Sequence, residues 1–159
     1  KLLVDQQTKG IRNIVVQLYT GRGGSEVDVP PHEGVRQKLL VRNGRFDPHV
    51  LLTQKGDSLE VDNQGRLMHN VALNFFANPA NVVDHPYVAA SDSDGRLKIE
   101  GLPVGQELVF RVHHEVGKID QVTIEGQEVQ WRRARFSVSL DPGENDFGDI
   151  LVSPESFSN

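Results

Sequence analysis

The chain contains no cysteine. Disulfides, thiolate zinc sites and cysteine nucleophiles are thereby excluded for these residues, while the redox compartment stays open. Methionine occurs once, at Met68, so any sulfur donor to a soft metal could come only from there. No run of about 18 apolar residues exists, and nothing reads as a signal peptide or a membrane span. Positive charge is also in short supply: 17 basic residues against 22 acidic ones leave a formal charge of −5, with no basic stripe to neutralise phosphates. Nucleic acid is not an expected partner. The densest basic group, Arg132, Arg133 and Arg135, lies near Glu125 and Glu128 in sequence and reads as a solvated strand end.

What remains is an ordinary globular composition. A hydrophobic share of 37% and a charged share of 25% over 159 residues suit one β-sandwich or two small packed modules. A chain of this size buries roughly two thirds of its unfolded surface and needs no staples. It begins at Lys1 rather than methionine, which fits a mature or trimmed form.

The apolar residues recur with the two-residue period of strands. In GIRNIVVQLYT, residues 10–20, Ile14, Val16 and Leu18 lie on one side and Val15, Gln17 and Tyr19 on the other. A loop rich in glycine, proline and acids follows, and its His32 reads as solvated. Residues 37–42 make a short strand, Asn43 and Gly44 a tight turn, and Arg45 starts a new extended run, which predicts a hairpin. Val50 with Leu52, then Leu59 with Val61 after a turn at residues 54–57, continue the alternation. His49 reads as a partly buried histidine with a backbone partner. In residues 67–76, His69, Val71, Leu73 and Phe75 share one face, and periodicity alone makes His69 a core histidine.

The second half repeats the pattern. Residues 87–115 hold a strand, an acidic glycine turn at residues 92–95, a strand at 96–100, a GLPVG turn and a strand at 107–113. Asp92 and Asp94 suggest a hairpin turn, since the other ligands and the helices of an EF-hand are missing. Leu108, Phe110, Val112 and His114 face inward, opposite Arg111, His113 and Glu115; adjacent strand residues point apart, so His113 and His114 cannot grip one ion alone. His114 remains a minor candidate ligand or proton carrier, and His85 reads as a turn histidine. Strands are expected at 121–125, 128–131, 135–140 and 148–152, with Phe136, Val138 and Leu140 inward and Trp131 in the core or at its rim.

One stretch carries a more specific signal. Phe46 and Pro48, the turn Lys55–Gly56–Asp57, the run from Leu59 to Asn63, and His69 with Asn70 together resemble the first half of a cupredoxin, the plastocyanin and azurin type of copper protein. The resemblance implies that His69 is the first copper ligand and that Asn70 ties ligand loops together by hydrogen bonding. It also implies a second histidine, a thiolate and a weak axial ligand from a late loop, and this sequence has no such loop. Residues 82–105, VVDHPYVAASDSDGRLKIEGLPVG, resemble the bacterial cupredoxin-like proteins labelled as methylamine-utilisation proteins, in which the ligand loop precedes the DHPY-like segment. On that basis, residues carrying the other ligands are expected to be missing between Asn81 and Val82; the other explanation is a scaffold that has lost its metal. Residues 87–115 resemble the carboxypeptidase regulatory-like, or transthyretin-like, β-sandwich repeat, which is mostly structural or adhesive.

The expectation is therefore an all-β protein: a Greek-key, cupredoxin-like sandwich over residues 1–86, with residues 87–159 extending it or forming a second small sandwich. The expected function is that of an extracytoplasmic, periplasmic or secreted, copper-binding or electron-transfer protein. It is not an enzyme, it has His69 as its metal ligand, and a redox protein is its expected partner. The alternative is a metal-free binding or adhesion module of a larger surface assembly. A hydrolase built on His114 and Glu115 lacks a nucleophile in any elbow motif.

Overall fold

The computed structural model describes residues 4–68 and 85–158. The described residues are all-β, with a single 3-10 turn, Pro154–Ser156, as their only helical element. The chain divides into two compact units, Lys1–Val27 with Tyr87–Asn159, and Asp28–Pro86. This differs from the division after residue 86 expected above. The reason is the pairing of β1 (Val15–Leu18), which lies antiparallel between β5 (Val88–Ala90) and β6 (Glu107–His113). The first strand thus belongs with the second half of the chain.

In the larger unit β10 (Arg135–Ser139) completes a four-stranded sheet in the order β10-β6-β1-β5. β7 (Lys118–Ile119) pairs with β12 (Phe157–Ser158), and β8 (Gln121–Ile124) sits between β9 (Gln127–Gln130) and β11 (Ile150–Leu151). The expected alternation holds: Leu108, Phe110 and Val112 of β6 are buried, with Leu108 fully so. Leu18, Tyr87, Leu108, Phe110 and Leu140 form one cluster. Val112, Ile119, Val122 and Trp131 form another, in which Val16 and Phe136 meet residues of the smaller sheets. Facing sheets joined by an apolar layer are the arrangement of a β-sandwich. Trp131 is a core residue, stacked on Phe136 at 4.8 Å between ring centroids. The β8–β9 hairpin turns at Glu125 and Gly126, both at positive φ, which matches the right-handed twist of its strands.

In the smaller unit β2 (Arg36–Arg42) pairs antiparallel with β3 (Arg45–Asp47) through the Asn43–Gly44 turn and parallel with β4 (Ser58–Asn63). Among the described residues Val41 is the one buried hydrophobic of this unit, so within them the ladders and the Asp57 hydrogen bonds supply the cohesion.

Two expected strands do not form. Residues 96–100 join no ladder although Ile99 still packs on the core; at their start the Asp92 carboxylate takes the Arg96 N–H and the Asp92 N–H reaches the Arg96 carbonyl. Residues 50–52 alternate in sequence without a partner strand. The strand expected at 148–152 shrinks to Ile150–Leu151. From His69 onward, the strand expected over 67–76 lies outside the described residues, as does the junction of Asn81 and Val82.

Candidate functional site

The histidines do not converge. His69, the expected copper ligand, lies outside the described residues. His114 is 2% exposed; its Nδ1 accepts the Val116 N–H at 3.2 Å and its ring meets the edge of Phe157 at 5.7 Å, so it is a core histidine with local bonds. His113 points the other way from the same strand, and burial, helped by Arg111 and His114, pushes its pKa down. His85 is buried in a bend. His49, read above as partly buried, is exposed, because β3 ends at Asp47 and the chain runs on as a bend.

His32 is not simply solvated. Its Nε2 donates to Asp57 Oδ1 at 2.6 Å, and the Asp57 side chain is 4% exposed. That carboxylate also accepts the Gln54 N–H and the Val35 N–H at 2.9 Å each and Gln37 Nε2 at 3.1 Å. The hydrogen bonds from Gln54 and Val35, then that from His32, hold its pKa well below the ordinary carboxylate range. The arrangement locks the turn before β4, and with one carboxylate and one imidazole it offers a metal too few donors.

Among the described residues no group of three or more His, Cys, Asp or Glu side chains gathers to hold a metal. The donor chemistry agrees with this. A type 1 copper centre requires a thiolate; the chain has none, and Met68 is 93% exposed. These residues do not fit such a centre by themselves. Asp92 Oδ1 accepts the N–H groups of Asp94 and Arg96 at 2.9 Å each, and this closes the acidic turn.

The side chains that do converge are arginines. The Trp131 N–H donates to the Asp120 carbonyl at 2.7 Å, and the Ala134 N–H reaches both the Trp131 carbonyl (2.9 Å) and Asp120 Oδ1 (2.8 Å). Arg133 and Ala134 take the left-handed conformation, φ 59° and 54°, and this tight turn feeds β10. Arg132, Arg133 and Arg135 line one cleft of about 530 Å³. Arg135 lies with its guanidinium carbon 3.6 Å from the centroid of the Tyr19 ring, a cation–π contact. Its Nε is buried and has no hydrogen-bond partner, and an unmet buried donor costs about 1–3 kcal/mol. Across the ladder Arg135 stands directly opposite Arg111, so two like charges share one sheet face.

Among the described residues none of these four arginines forms an ion pair. Arg132 and Arg133 are exposed in the turn that feeds β10, the solvated strand end expected above, while Arg135 is half-buried against Tyr19; among the described residues neither Glu125 nor Glu128 forms an ion pair with them. The available signal is Arg111 on the outward face of β6.

Set against known proteins, the chain matches no family model, no curated protein and no solved structure.

Proposed function

We propose that the chain is part of an extracytoplasmic cupredoxin-like protein of copper binding or electron transfer, not an enzyme, in which these residues supply the scaffold and one ligand, His69. The other ligands have to come from residues that this sequence does not contain, and a redox protein is the partner. The observation that carries the reading is how β4 ends. The strand stops at Asn63, and the Asn63 carboxamide donates to the Leu67 carbonyl at 2.9 Å and accepts the Gly65 N–H at 3.0 Å. The segment leading to His69 is thereby tied to the strand, and a stiff approach favours a preorganised ligand. Fold-level analogy supplies the rest of the warrant.

Copper titration of the complete gene product tests this. A strong visible band that His69→Ala abolishes is the expected result, with no such band from the present residues alone. A complete product that takes up no copper overturns the reading.

A second reading, a metal-free binding module of a larger surface assembly, is favoured by the arginine cleft, a charged recess in the larger unit.

A further inference from the structure

We propose that the cleft lined by Arg132, Arg133 and Arg135 binds a tetrahedral oxyanion, a phosphate or sulfate group, either free or carried as a monoester. The proposal rests on the cleft and not on the copper reading, so either can fail without the other.

Four features point to an anion. Arg135 keeps a buried Nε without an acceptor, and a guanidinium is never deprotonated to relieve that deficit. Its contact with Tyr19 is through the ring face, so the donors, which lie in the guanidinium plane, stay available at the edge. Arg111 and Arg135 are direct cross-strand neighbours on one face, an arrangement that repels unless a counter-charge sits between them. Finally, the left-handed turn at Arg133 and Ala134 brings two further arginines to the same recess, where plain strand alternation would send neighbours to opposite faces.

The one carboxylate built into this turn, Asp120, directs Oδ1 at the Ala134 N–H, and the three arginines of the cleft outnumber its single charge. Several cations around one recess favour a doubly charged tetrahedral group over a singly charged planar one, because each oxygen can take its own charge-assisted donor. The volume of about 530 Å³ accommodates such a group with part of an organic ester.

The test is a titration of the full chain, without copper, at ionic strength held constant with sodium chloride. Fluorescence of the single tryptophan, Trp131, next to Arg132, and amide shifts at positions 111 and 132–135 are followed. The probes are inorganic phosphate, inorganic sulfate, phenyl phosphate and acetate. Phosphate and sulfate are expected to saturate at concentrations about tenfold or more below acetate. Arg135→Gln should weaken phosphate binding about tenfold. Because Arg135 is partly buried, Arg133→Gln on the exposed turn is the second variant and should weaken it in the same direction. Arg42→Gln, which breaks the surface pair with Asp47 in the other unit, should leave it unchanged. Tighter binding of phenyl phosphate assigns a monoester; equal binding assigns the free ion. An absence of saturable binding, acetate binding as well as phosphate, or an equal loss in Arg42→Gln overturns the proposal.

Discussion

His32 and Asp57, twenty-five positions apart, are joined by a 2.6 Å hydrogen bond from the imidazole Nε2 to the carboxylate Oδ1. The carboxylate can only accept, so the ring nitrogen that faces it carries the proton. Together with the Gln54 and Val35 N–H groups, this bond fixes the turn at which the chain enters β4.

The pH dependence follows with a definite sign. Asp57 is held below its ordinary value of 3.8 in the folded chain, so the unfolded chain takes up the proton first as pH falls. The stabilisation from this group is complete above that value and is lost as pH drops through the folded one. Asp57→Asn should lower the denaturation midpoint of the smaller unit at neutral pH and flatten its acid slope below about pH 4. Acid denaturation followed by amide exchange in residues 36–63 checks this. An unchanged slope in the variant would show that Asp57 does not carry the effect.

Ser91 clamps the start of β1. Its Oγ accepts the Ile14 N–H at 2.8 Å and donates to the Ile11 carbonyl at 2.7 Å, and its own N–H reaches the Ile14 carbonyl at 2.8 Å. At 3% exposure no solvent replaces the hydroxyl. Ser91→Ala leaves a backbone donor and an acceptor without that partner and should destabilise the larger unit by about 1–3 kcal/mol in urea unfolding. A loss below about 0.5 kcal/mol would mean that the two groups find other partners.

Much of the larger unit is legible because its central strand, β6, has one buried face. Leu108, Phe110, Val112 and His114 announce their side by a period of two, and the structure buries all four. The same period misleads at residues 96–100, since alternation reports which side is buried and not whether a neighbour supplies a ladder. Partner choice is not local: nothing in VVQL announces that β1 pairs with β5 and β6, and so order along the chain groups the first strand with the wrong unit. The arginine cleft is hidden for a related reason. Arg132, Arg133 and Arg135 read as a strand end until the left-handed turn and the distant Tyr19 and Arg111 are placed beside them. The Asn43–Gly44 turn, by contrast, is written in two adjacent residues and forms as expected.

Gly10 provides a test of close packing without backbone strain. A Cβ at this position would run into the carbonyl group of Asp94 and the nitrogen of Gly95, all of it backbone that cannot rotate away. Its φ is not in the left-handed region, so the cost of a side chain here is steric alone. Gly23 supplies the opposite case: its φ is +73° and nothing lies within 4 Å of where an added methyl group would sit, so the cost there is conformational alone. Gly23→Ala should lose about 1 kcal/mol, the ordinary penalty of a left-handed alanine. Gly10→Ala should lose about 2 kcal/mol or more, because the turn at residues 92–95 has to move away from the segment that leads into β1. Urea unfolding of both variants separates the two effects. Equal losses would mean that the turn gives way freely and that the contact between Gly10 and Asp94 does not hold the turn at residues 92–95 against the segment that leads into β1.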